Sequence, residues 1–182
     1  MVSSIYSNWT LSNFSAGWGN RYAHTNIVHD NQMLVMGGYP NNMNDVWSLS
    51  DGATWDLVTG SAGWSGRYYH SSVVFGNEIF VMGGNGSSKF NDVWSSSDGA
   101  TWDLVTGSAG WSARAAHTSV VYNNQIFVMG GVLSSTGFND VWSSSGGATW
   151  DLVTGSAGWS GRYHHSSVVF DNQMFVMGGY DG

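Results

Sequence analysis

One tryptophan-marked unit recurs along the chain, and its regular period constrains the fold more than any other feature. Trp9, Trp55, Trp102 and Trp150 mark successive copies, each interval one residue longer than the last, and Trp18, Trp64, Trp111 and Trp159 follow at the same intervals. Arg21, Arg67, Arg114 and Arg162 keep the register, as do His24, His70, His117 and His165 and the Gly pairs that begin at Gly37, Gly83, Gly130 and Gly178. From its first Trp to its second Gly every unit has the same length; only the segment between the Gly pair and the next Asn-Asp-Val-Trp varies. A constant scaffold with one variable loop per unit is the pattern of a repeat fold whose units bury their apolar faces on one another. The expected organisation is one domain over residues 1–182, with units at about 1–38, 39–84, 85–131 and 132–179.

Each unit reads as four short strands. His70 to Phe75 and Glu78 to Met82 are β-branched and aromatic runs joined by Gly76-Asn77, a two-residue hairpin turn. A second hairpin is expected to join Val93–Ser97 to Thr101–Val105 through Asp98-Gly99 in a type I′ turn. Nothing has helical periodicity. Ile79-Phe80-Val81-Met82 is apolar at consecutive positions, so both faces of that strand should be buried, which a radial stack of small antiparallel sheets achieves.

The pattern Arg67-x-x-His70, Val73-Val74, Ile79-Phe80-Val81-Met82-Gly83-Gly84, Asn91-Asp92-Val93-Trp94 and Trp102 resembles the kelch repeat, in four copies over essentially the whole chain. The resemblance implies an all-β, kelch-type β-propeller of four blades per chain, each of four antiparallel strands, with the first strand of each blade lining a central channel. The Ser96-x-Asp98-Gly99-x-Thr101-Trp102 segment also looks like a shortened Asp-box, which is read here as a turn.

The last unit stops after two strands, at Gly178-Gly179-Tyr180-Asp181-Gly182, while Val2 to Thr10 read as a degenerate third and fourth strand. The N-terminal half-blade, residues 2–11, is therefore expected to pair with the C-terminal half-blade, residues 162–179, since unpaired edges invite aggregation. Three arrangements follow: a four-bladed ring within one chain, a homodimer that completes an eight-bladed ring, or a fragment that pairs imperfectly. Near-identical blades favour exchange. Trp55–Gly84 and Trp150–Gly179 differ only at Tyr69/His164, Gly76/Asp171, Glu78/Gln173 and Ile79/Met174, so one blade's edge fits another's.

Composition narrows the function. Charged residues make up 9% of the chain, five Lys+Arg against twelve Asp+Glu for a net charge of −7, so no basic surface for nucleic acid is expected. The absence of Cys excludes disulfides, thiolate metal sites and thiol catalysis. The longest apolar runs are far too short to span a bilayer and Met1 to Trp9 lack the features of a signal peptide, so a soluble chain is expected. No nucleophile has a matched base, and neither catalytic residues nor a cofactor or metal are expected. The four histidines in one register are read as buried side chains bonded to a neighbouring blade's backbone.

Arg21, Arg67, Arg114 and Arg162 are the candidate ligand-binding cations, four of the five bases in the chain, set against an alternative in which they pair with Asp45, Asp92 and Asp140. Positions that differ between blades are the candidates for specificity: the residues after each Arg, Tyr68 and Tyr69, Ala115 and Ala116, Tyr163 and His164, and Tyr22 and Ala23, with the loops 39–44, 85–91 and 132–139. The expected function is a non-enzymatic binding or scaffold propeller docking a protein, peptide or acidic ligand on the variable-loop face. Two alternatives are a self-assembling structural propeller and a carbohydrate-binding module using exposed tyrosines.

Overall fold

The structure is a computed structural model and describes residues 16–181. Its strands form three four-stranded antiparallel sheets and one two-stranded sheet. Blade 1 comprises β1 (Thr25–His29), β2 (Gln32–Gly38), β3 (Met43–Leu49) and β4 (Trp55–Thr59). Blade 2 comprises β5 (Ser71–Phe75), β6 (Glu78–Asn85), β7 (Lys89–Ser96) and β8 (Asp103–Thr106). Blade 3 comprises β9 (Thr118–Tyr122), β10 (Gln125–Met129), β11 (Val141–Ser144) and β12 (Asp151–Thr154), and blade 4 comprises β13 (Ser166–Phe170) and β14 (Gln173–Met177). In each sheet the strands pair in chain order. The expected completion of blade 4 by residues 2–11 lies outside the described residues. Among the described residues no helix is long and apolar enough to cross a membrane.

The first hairpin of every blade is the expected two-residue turn. Asp30-Asn31, Gly76-Asn77, Asn123-Asn124 and Asp171-Asn172 all have both residues at positive φ, between 46° and 64°. This matches a type I′ turn, whose twist fits the flanking strands. The second hairpin departs from expectation. Only Gly99 has positive φ, β7 ends at Ser96 and β8 starts at Asp103, so the connection is longer than two residues. Its fold is held by side chains: the Asp98 carboxylate accepts the amides of Ala100 and Thr101, each at 2.8 Å, and Ser96 Oγ accepts that of Gly99 at 2.8 Å. The Trp102 indole donates to the Gly99 carbonyl at 2.9 Å and locks the turn to the next strand. An Asx turn of this kind competes with the type I′ geometry because the carboxylate satisfies two amides at once.

Side-chain alternation on the second strand explains the consecutive apolar run. Ile79 and Val81 point to blade 1 and join Leu34, Met36, Val46 and Trp64 in one core cluster. Phe80 and Met82 point the other way and join Val93, Trp111, Ile126 and Val128 in the next. Between blades 3 and 4, Val120, Phe127, Met129 and Val141 pack against Met174 and Val176. The first two of these layers are each built around tryptophans in edge-to-face contact, Trp64–Trp102 and Trp111–Trp150, at 5.8 and 5.9 Å, and Trp18–Trp55 repeats the contact at 5.5 Å. Such indoles bury large areas, so a core short of Leu still excludes water.

Beyond Met82, β6 runs through the Gly pair with a register shift. Gly84 has φ +100°, and a Cβ there would lie 2.7 Å from the Cβ of His70. Only glycine permits this approach, which seats the inner strand against the second one at the loop end of the blade.

Candidate binding face and central channel

The arginine register forms the rim of each blade from the inside. Arg67 donates through Nε to the Ser65 carbonyl, through NH1 to the Gly83 carbonyl and Asp92 Oδ1, and through NH2 to Asp92 Oδ2, at 2.7 to 3.0 Å. Arg114 repeats this arrangement with Ser112, Gly130 and Asp140, and Arg21 forms the same two-pronged pair with Asp45. Each aspartate also accepts the indole N–H of the Trp two residues on, Trp47, Trp94 or Trp142. The guanidinium of Arg67 lies 4.5 Å from the Phe90 ring, and that of Arg114 lies 4.4 Å from Phe138. Arg67 and Arg114 are fully buried. Arg21, Arg67 and Arg114, the candidate ligand-binding cations, thus direct most of their donors inward: of five N–H groups Arg67 and Arg114 each have four bonded within their own blade, and Arg21 has three. Burial pushes the carboxyls of Asp45 and Asp140 up, but the arginine bonds and charge together with the indole N–H outweigh it, leaving both below the ordinary carboxylate range.

Arg162 differs. It keeps the bonds to the Ser160 and Gly178 carbonyls, yet among the described residues it has no ion pair. Its NH2 donates to Ser160 Oγ at 3.1 Å, and that hydroxyl donates to Asp181 Oδ2 at 3.1 Å. Asp181 thus reaches the arginine through a serine, where the other blades use a direct carboxylate.

The residues after each arginine build a ring around the axis. Tyr69 N–H donates to the Ala23 carbonyl, Ala116 N–H to Tyr69 and His164 N–H to Ala116, at 2.8 to 3.0 Å. Among the described residues the fourth link, between Ala23 and His164, is not made. All four residues have φ between 53° and 57°, a left-handed conformation that turns their side chains over the channel mouth. Tyr69 and His164 meet across it with ring centroids 4.5 Å apart. From this pair aromatic contacts run outward in both directions, through Tyr68, Tyr39 and Tyr22 on one side and Tyr163 and Tyr180 on the other, at 5.1 to 5.4 Å per step. The specificity candidates Tyr68, Tyr69, Tyr163 and His164 therefore stand in one contiguous band. Blade 3 interrupts it with Ala115 and Ala116, beside the exposed Leu133 of the longest loop. Tyr22 and Tyr39 also fall among the positions and loops that vary between blades, while Tyr180 is the one member of the band that sequence reasoning did not single out. Tyr22 follows an Arg, while Tyr39 and Tyr180 each follow a Gly pair; the antiparallel bridges Tyr22–Tyr39 and Tyr163–Tyr180 join the two sets.

Beneath the band lies a polar cavity of about 520 Å³, lined by His24, His70, His117, His165 and the strand hydroxyls beside them. The sequence pointed to a neighbouring blade's backbone as the partner of each histidine; His117 and His165 do meet the backbone of Met82 and Met129, and three of the histidines also bond a hydroxyl of the preceding blade. His70 Nε2 meets Thr25 Oγ1, His117 Nε2 meets Ser71 Oγ and His165 Nε2 meets Thr118 Oγ1, each at 2.8 Å. Burial, followed by the nearby arginine, pushes His117 down to about 3 and His165 to about 4, against weaker opposing backbone contacts at Met82 and Met129. The same two causes hold His70 well below its usual value. A hydroxyl beside an imidazole has the shape of a nucleophile with its base. A base this weak accepts a proton poorly at neutral pH, and the three copies act as ties between blades. Among the described residues no cluster of His, Asp or Glu could hold a metal ion.

The family model described as the KLHDC2/KLHL20/DRC7 Kelch-repeats domain matches residues 7–179. No curated protein matches the chain.

Proposed function

The chain belongs to the Kelch-repeat family, and from that premise we propose that it is a non-enzymatic, protein-binding β-propeller whose partner docks on the variable-loop face. The observation that carries this reading is the band of seven rings from Tyr22 through Tyr69 and His164 to Tyr180. Tyrosines supply large contact area with little side-chain entropy to lose and a hydroxyl for hydrogen bonding, which suits a recognition surface. Docking depends on this band and on the loops around Asn85 and Leu133. The three paired arginines are scaffold.

The test is selection of binders from a displayed random-peptide library, followed by re-measurement against Tyr22→Ala and Tyr69→Ala and against Leu57→Ser on a blade flank. Selected peptides should weaken at least tenfold with the band variants and keep their affinity for the flank variant. Equal affinity for all four proteins sinks the reading.

A second reading, assembly with another copy of the chain, is favoured by the missing link between Ala23 and His164. The Tyr69–His164 contact supports four blades around one axis, because an eight-bladed ring would hold blades 2 and 4 apart. Light scattering decides between them: a particle of 19.6 kDa supports the closed single chain, and twice that mass supports exchange.

A further inference from the structure

We propose that Arg162 is an open carboxylate slot, and that it takes a polypeptide segment with an aromatic residue two positions before an aspartate. The other blades are its template. In blades 2 and 3 the same guanidinium, in the same pose, holds Asp92 or Asp140 by two parallel bonds and stacks on Phe90 or Phe138, the residue two before the aspartate. Arg162 is oriented alike, through Nε to the Ser160 carbonyl, through NH1 to the Gly178 carbonyl, and with Trp159 on one face at 5.9 Å. Among the described residues it has neither the carboxylate nor the second ring, and it is only half-buried. Residues 1–29 contain no Asp or Glu, so none of them offers the slot an acidic side chain. Fork-to-fork pairing between guanidinium and carboxylate is directional and strong, and here the guanidinium is already aimed. The proposal rests on the protein-binding reading above and names one chemical group that such a partner would carry.

The probe is a fluorescein-labelled pentapeptide, Phe-Asn-Asp-Val-Trp, the sequence of residues 90–94 and 138–142. Anisotropy titration against the full chain should give saturable binding that weakens at least tenfold when the peptide's Asp is exchanged for Asn. Arg162→Met should cause a comparable loss, and Arg162→Lys an intermediate one because the charge stays and the fork goes. If Arg162→Met does not fold, the peptide exchange on the unaltered protein still decides. Equal affinity of the Asp and Asn peptides, or no binding up to millimolar peptide, overturns the slot. Binding that appears only in Asp181→Asn overturns it as well, since Asp181 would then be its internal occupant. Tyr69→Ala should leave pentapeptide binding unchanged, so loss of the slot and loss of the tyrosine band are read separately.

Discussion

Tyr69 and His164 touch across the propeller axis, from blades 2 and 4, which do not adjoin. The contact roofs the histidine-lined cavity and makes one aromatic band of two separate clusters. Blades 1 and 3 carry Ala23 and Ala116 in the same left-handed conformation, so alanine is tolerated by the backbone there. A double-mutant cycle on Tyr69→Ala and His164→Ala should give a coupling of about 0.5–1.5 kcal/mol, the range for aromatic pairs. Strictly additive losses in urea denaturation would mean that the rings do not interact in solution.

The arginine–aspartate pairs are expected to be among the least replaceable contacts. Asp92→Ala leaves the buried Arg67 guanidinium without its counter-charge, and the expected cost is about 3–5 kcal/mol in urea unfolding. A loss below about 1 kcal/mol would show that water or another group reaches Arg67.

Stability should fall as the solution is acidified below neutral. His117 and His165 have folded-state values of about 3 and about 4, under the unfolded value near 6.5, so below that pH the unfolded chain binds protons that the folded chain refuses. His117 contributes a loss of up to about 1.4 kcal/mol per pH unit, in the window from about 6.5 down to its folded value. His165 contributes less, because its surroundings are less enclosed and solvent screens it more. The depressed carboxyls of Asp45 and Asp140 add a further loss at more acid pH, as they are protonated. A urea midpoint that stays flat between pH 7 and pH 4.5 would contradict the buried, neutral imidazoles.

Gly84→Ala and Gly52→Ala separate steric cost from backbone cost. Both glycines have positive φ, but a Cβ at Gly84 meets His70 at 2.7 Å while one at Gly52 has nothing within 4 Å. Gly52→Ala should cost about 1 kcal/mol of backbone strain and Gly84→Ala distinctly more, enough to disturb the inner strand. Similar thermal midpoints for the two variants would refute the close approach.

Blade 3 offers a stabilising change. Gly146 occupies the position of Asp51 and Asp98, whose carboxylates cap two amides each; a Cβ at Gly146 meets nothing within 4 Å, and its φ is not positive. Gly146→Asp should therefore raise stability by about 0.5–1 kcal/mol, through the new cap and a less flexible unfolded chain. No rise in the urea midpoint would show that the blade 3 turn is shaped differently.

The period of the tryptophans, the Gly pairs and the two-residue hairpins are enough to read an all-β propeller of kelch type, because each is a local rule of spacing or turn chemistry. The burial of Ile79 and Phe80 on opposite sides of one strand follows from the same logic. The turn at Asp98 escapes it, since Asp-Gly is compatible both with a type I′ hairpin and with an Asx cap, and only the Ser96 and Trp102 side chains select between them.

The role of the arginines is undecided in sequence. Arg67 and Asp92 stand 25 residues apart, and whether a guanidinium turns inward or outward depends on the packing of β7 beside the Gly pair, which no local pattern records. From the sequence alone came the repeat, the strand order and the positions that vary between blades, because these are written in intervals along one dimension. The tertiary structure alone decided that three arginines pair directly with a carboxylate of their own blade while Arg162 reaches Asp181 through Ser160, and that Tyr69 reaches His164. Both depend on how the blades are arranged around the axis and how closely they pack, distances that arise only once the blades stand side by side.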